Sequence, residues 1–158
     1  MLRGSMSAAI KLRRLVIVLG DQLDRDSPLL QELDPAQDLV FMAEVREEAT
    51  HVRSHKARIA LFLSAMRHFR EDLLARGLPV HYLTLESHAY PSLAAALSAL
   101  LEGRRPRQVI MQRAGDWRVQ QSLVETVART GLVLQVVESS RFLITPDDFR
   151  AWLGDFCL

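Results

Sequence analysis

Gly20, Asp21 and Gln22 follow directly on the apolar run Leu15–Leu19. A short apolar run closed by glycine reads as a fully buried strand of a parallel sheet. In such sheets ligands bind outside the carboxyl ends of the strands, which is where this carboxylate and amide stand. They are therefore candidate binding residues. The competing reading is a turn in which Asp21 caps the next segment. A second group, Glu44, Glu47, Glu48, His51, His55 and Lys56, falls after the run Leu39–Ala43 and at the start of a helical pattern. Basic residues at a helix start oppose the helix dipole by up to about 1 kcal/mol each. Such violations of local rules tend to mark sites. A helix beginning earlier, near Glu47, would remove the conflict. The third group is Gly115, Asp116 and Trp117, after the run Gln108–Met111. There a helix cap and a packed indole explain most of the pattern.

These groups need elements to hold them. Strand candidates are Leu15–Leu19, Leu39–Ala43, Val80–Leu83, Gln108–Met111 and Leu132–Val137. The longest helix candidate runs from about Ser54 to Arg76. Ile59, Phe62, Leu63, Met66, Phe69 and Leu73 keep the three-and-four spacing of one buried stripe, and Gly77 stops it. A second helix opens in "YPSLAAALSALLEG", with Pro91 near its first turn and Gly103 as terminator. A third spans about Trp117 to Arg129, with Asp116 as cap and Gly131 past its end. The last, "TPDDFRAWLG", has Thr145 as cap and Pro146 at the first helical position. Strands alternating with helices predict an α/β fold: a doubly wound, five-stranded parallel sheet with helices on both faces, Rossmann-like.

Composition bounds the function. The chain has 158 residues, 49% hydrophobic and 25% charged, with a net charge of +1. That is one globular domain by size, and it lacks the strongly basic balance of a dedicated nucleic-acid binder. No run approaches the roughly 18 apolar residues of a membrane span, and no secretory signal follows the basic N-terminus. Cytoplasmic localisation is the expectation. Residues 1–12, with "GSM" at 4–6, read as a disordered or tag-like N-terminus, and 13–158 as a single domain. The chain's one cysteine, Cys157, allows no internal disulfide. Neither G-x-G-x-x-G, Walker A nor G-x-S-x-G occurs, and the five histidines show no zinc-site spacing.

Taken in order, "LVIVLGDQL", "EVREEATHVRSHKARIALFLSAMRHF", "GDWRV" and "RFLITPDDFRAW" closely resemble the N-terminal domain of the bacterial photolyase-related proteins, the iron-sulfur (6-4) photolyase and cryptochrome family. The resemblance covers Leu15 to Trp152. It implies an antenna domain that holds 6,7-dimethyl-8-ribityllumazine and passes excitation to a flavin in a separate helical domain. On that reading Gly20, Asp21 and Gln22 belong to the binding site, with Asp21 and Gln22 at the polar edge of the ring and Glu48 at the ribityl hydroxyls. Val45 then gives apolar contact, while His55 and Ile59 stand at the pocket edge. The ligand is expected between the first two strands and the long helix. FAD and the 4Fe-4S cluster would belong to a C-terminal domain beyond this chain. That flavin domain is the expected partner, and damaged DNA would be reached only through it. The light-driven lyase activity would be that domain's, so the chain is a fragment of a longer protein or a stand-alone relative. Two alternatives stand: a nucleotide- or small-molecule-binding protein of the same architecture, and a ligand-free docking module. The apolar residues Trp152, Leu153, Phe156 and Leu158 predict that the segment from Phe149 onward is poorly ordered or buried in a homodimer.

Overall fold

The computed structural model describes residues 12–46, 55–139 and 143–154. Among these residues β1 (Arg14–Ile17), β2 (Asp38–Ala43), β3 (Val80–Leu83), β4 (Gln108–Gln112) and β5 (Leu134–Val137) form one sheet in the order β3-β2-β1-β4-β5. Every pairing is parallel; Val16, for example, lies between Val40 and Ile110. The helices are α1 (Pro28–Gln31), α2 (Lys56–Ala75), α3 (Leu93–Gly103), α4 (Trp117–Arg129) and α5 (Pro146–Leu153).

Alternation along the strands builds two cores, because successive side chains point to opposite faces of a sheet. Leu15, Ile17, Leu39, Phe41, Val109 and Met111 face one layer, where they meet Leu97 and Leu101 of α3 and Leu123 and Val127 of α4. Val16, Val40, Met42 and Ile110 face the other, where they meet Leu29 and Leu30 of α1 and Met66, Phe69 and Leu73 of α2. The sheet is therefore doubly wound, with α1 and α2 on one face and α3 and α4 on the other. No helix among the described residues is long and apolar enough to cross a membrane.

Several local expectations shift by a turn or less. Lys56 begins α2 because His55 is its N-cap, with Nδ1 accepting from the Ala57 N–H at 3.2 Å. Pro91 lies just before the cap of α3, next to its first turn; Ser92 caps the helix, its hydroxyl accepting from the Ala95 N–H. Asp116 caps α4. Thr145 and Asp148 form a reciprocal capping box at α5, with Pro146 at the helix start. Gly77 and Gly131 stop α2 and α4 with φ of 76° and 79°, the left-handed region that glycine enters without penalty. Trp117 is 70% exposed, so it does not pack as the sequence suggested. In α5 the rings of Phe149 and Trp152 lie tilted at 31° with centroids 5.9 Å apart, Phe149 half-exposed and Trp152 largely exposed. Phe156 and Leu158 lie outside the described residues.

A buried carboxylate ties β2 to its neighbours. Glu44, just past β2 and 1% exposed, receives both arms of Arg67 from α2 at 2.7 and 2.8 Å. It also accepts from the Tyr82 hydroxyl at 2.7 Å and the Leu85 N–H at 2.9 Å. Burial pushes the Glu44 carboxyl up, but Arg67, the Leu85 N–H and Tyr82 together hold it below the usual carboxylate range. Burial and the same carboxylate push the Tyr82 hydroxyl up. At the amino edge of the sheet Asp38 is held down in the same way: burial is outweighed by Arg13 at 2.8 Å and by the Asp34 N–H.

A folded-state value below the unfolded one means stabilisation that is complete above about pH 4.3 and lost as pH falls through the depressed value. Glu44→Gln should therefore destabilise the protein at neutral pH. The cost should lie near the lower end of the roughly 3–5 kcal/mol for breaking a buried pair, since Arg67 is half-exposed and keeps Glu86 at 3.1 Å. Urea unfolding at pH 7 and again at pH 3 should show the gap between wild type and variant narrowing in acid. A pH-independent gap would exclude the charged form as its source.

Candidate functional site

The strand order places a topological switch between β1 and β4. The chain leaves β1 towards α1 on one face and leaves β4 towards α4 on the other, so the two exits part and open a crevice. Such crevices are where doubly wound sheets bind ligands. Here a cleft of about 330 Å³ fills it, within the range of small-molecule sites. Leu19, Gly20 and Asp21 line it from the end of β1, Val45 from the end of β2, and Ala114, Gly115 and Asp116 from the end of β4. Phe62 of α2, Leu93 and Ala94 of α3, and Arg118, Val119, Ser122 and Leu123 of α4 complete the walls. The interior is mainly apolar, and Asp21, Asp116 and Arg118 carry the charge.

The exits are held in place by Gln22. It is 3% exposed, and its Nε2 donates to the carbonyls of Gln112 at 3.2 Å and Arg113 at 3.0 Å, at the end of β4. Its backbone N–H closes a turn onto the Leu19 carbonyl at 2.9 Å. The Gln112 side chain then donates to the Ser27 hydroxyl at 3.0 Å, ahead of α1. Gln22 is thus a strut between β1 and β4. Its side-chain amide donates to protein carbonyls, and it is not among the residues that line the cleft.

Gly20 has a packing reason. A Cβ there would come within 2.8 Å of Phe62 Cε1 and 2.9 Å of Met66 Sδ, so the absence of a side chain lets the Phe62 ring lie against the end of β1. Across the cleft a Cβ on Gly115 would sit 3.2 Å from Asp21 Oδ2, so the two strand exits touch through this carboxylate. Asp116 accepts from the Arg118 N–H at 2.8 Å and from its guanidinium at 2.8 Å. Those two donors hold its carboxyl below the usual range.

The structure brings Gly20, Asp21 and Val45 together with Asp116 at one opening. His55, as the cap of α2, and Ile59, one turn on, do not line it. Glu48 lies outside the described residues. The end of β1, Val45 after β2 and Phe62 of the long helix line the cleft, where the sequence suggested a pocket; the exit of β4 and the start of α4 also line it, because β4 lies next to β1 at the switch point. Phe62 was legible only as part of a core stripe. The signal that would have found it is Gly20, which needs a bulky neighbour. Arg118, in "GDWRV", carried no signal beyond its motif.

Gly20→Ala should force Phe62 aside and cost about 1–3 kcal/mol, as overpacking does. Gln22→Leu should cost a similar roughly 1–3 kcal/mol by leaving buried carbonyls without this donor. Denaturant unfolding of both variants checks this; stability within experimental error of wild type for Gln22→Leu would dismiss the strut.

Comparison with known proteins agrees with this architecture. Residues 16–156 match the family model of deoxyribodipyrimidine photo-lyase-related protein. A (6-4) photolyase of Agrobacterium fabrum is 31% identical over 140 residues, which cover 88% of this chain and 28% of that protein. The chain therefore spans little more than a quarter of that relative's length. With the family pattern running through every strand of the sheet, the chain belongs to the deoxyribodipyrimidine photo-lyase-related proteins.

Proposed function

We propose that this chain is a light-harvesting domain that holds a ribityl-lumazine chromophore in the cleft between β1 and β4. Excitation would then pass to a flavin carried by a further domain of the same protein. The observation that carries the reading is the cleft itself: apolar walls from both helical layers at the switch point, with carboxylates at the opening. Phe62, Val45, Leu93 and Val119 offer a planar bicyclic ring apolar contact on more than one side. Asp21 can accept from a ring N–H or a sugar-alcohol hydroxyl. Glu48 is the expected partner of further ribityl hydroxyls. DNA repair, FAD and the 4Fe-4S cluster would belong to the flavin domain, where the cofactor carries the chemistry.

Titrating 6,7-dimethyl-8-ribityllumazine into the purified chain while following its fluorescence tests the reading. A saturable change is expected, weakened about tenfold or more by Phe62→Ala and by Asp21→Ala. No saturable change up to high micromolar ligand would end the proposal. Thermal stabilisation by ATP or NAD, with none by the lumazine, would hand the cleft to a nucleotide.

A further inference from the structure

We infer that the turn from α3 into β4 is a docking surface for the phosphate backbone of duplex nucleic acid, with Arg104, Arg105 and Arg107 as its contacts. The turn stands at the amino edge of the sheet, opposite the cleft, so the inference does not depend on the chromophore reading. All three side chains are exposed. Other arginines are matched by acids: Arg13 meets Asp38, Arg67 meets Glu44 and Glu86, and Arg113 meets Glu138. Among the described residues no carboxylate pairs with Arg104, Arg105 or Arg107. Glu102, in the last turn of α3, is exposed and pairs with none of them. The sequence before Leu12 contains Arg3 and Lys11 and no acid.

A cation at a helix C-terminus offsets the helix dipole, and that accounts for Arg104, the C-cap residue of α3. Arg105 and Arg107 lie beyond the helix, where the dipole no longer asks for a charge. The turn that carries them is anchored. Pro106 between them is buried, and the Arg107 N–H donates to the Leu12 and Arg13 carbonyls, each at 3.1 Å. The guanidiniums are thus strapped to the start of β1. Their field also reaches β3: after burial, Arg104 is the second cause that holds the His81 imidazole below its usual range.

The residue types select the partner. All three cations are arginines, whose planar forks pair with phosphate oxygens two at a time. From Glu102 to Gln108 the chain has no aromatic residue, and its one apolar ring, Pro106, is buried. The surface therefore lacks the stacking platform of a single-strand binder and the apolar anchor of a membrane-surface segment. A duplex needs neither. It carries one charge per roughly 1.7 Å of its axis, so adjacent guanidiniums on a short turn all find phosphates. An acidic protein face would have to match them one carboxylate at a time. Contacts of this kind position a duplex without reading its sequence, which suits a chain with no strong basic excess overall.

The test titrates the whole chain into a short labelled DNA duplex of arbitrary sequence and follows fluorescence anisotropy over a range of salt. Saturable binding with a dissociation constant of roughly 1–100 μM is expected, the range of sequence-independent contacts. The triple variant Arg104→Gln, Arg105→Gln, Arg107→Gln should bind at least about tenfold more weakly, and its salt slope should fall by about 2–3. Arg105→Gln and Arg107→Gln alone should each lower that slope by about 1. Arg58→Gln removes an exposed charge from the start of α2, at the other edge, and should leave both quantities unchanged. Thermal melts of the variants should match wild type, since every altered side chain is exposed. No saturable binding of the duplex would overturn the inference, as would a triple variant that binds like wild type. Equally tight binding of polyglutamate would also overturn it, and would assign the turn to an acidic protein partner. Lumazine titration of the triple variant should match wild type, so the fate of this surface and that of the chromophore reading are read separately.

Discussion

Gln22 spans the gap between the carboxyl ends of β1 and β4, and the cleft exists because that gap is held at a fixed width. One side-chain amide bonds two consecutive carbonyls of the neighbouring strand's exit. It does so in a buried setting where an unmet polar group costs far more than in water. The Gln112–Ser27 bond extends the strut to the start of α1. Two chain segments that leave the sheet in opposite directions would otherwise have little to keep them together, since the ladder of backbone bonds ends where they part.

The same logic recurs around β2, with charge in place of an amide. Glu44 joins β2, β3 and α2 at the carboxyl edge, and Asp38 joins β2 to the residues before β1 at the amino edge. Both carboxylates are buried and both are fully met by donors, so each acts as a rigid joint. His88 adds to the first joint by meeting the Glu44 backbone carbonyl at 2.8 Å. The two joints lie outside the cleft lining, whose own carboxylates are Asp21 after β1 and Asp116, the cap of α4.

Phe62 shows how packing and site are one feature. Its ring lies against the end of β1 because residue 20 has no side chain, and the exposed part of the same ring then forms one wall of the cleft. Met66 behind it is buried in the core of that face, so the wall is backed by close packing and not by a mobile loop. On the opposite side Val119 and Leu123 of α4 are anchored to the other core in the same way. The cleft is a seam between two independently packed layers.

Much of this was legible in the residues. Apolar runs alternating with capped helices dictated the parallel strands within a few residues. Ser, Asp, Thr and Gly at helix ends act locally, through bonds only two or three residues long, so Asp116, Thr145, Gly77 and Gly131 could be read directly. Asp21 and Asp116 could be placed at the carboxyl edge, because a strand's direction follows from the chain alone once the sheet is parallel. What the sequence could not determine was which strand lies beside β1. Neighbours in a sheet are chosen by burial of both faces at once, and that placed β4 next to β1 and brought the exit of β4 and the start of α4 into the cleft wall. The fate of Gln22 followed: its amide reaches carbonyls some ninety residues away, a distance no local pattern encodes. Sequence by itself determined the elements and their caps; tertiary packing decided which polar residues became struts and which were left facing the cleft.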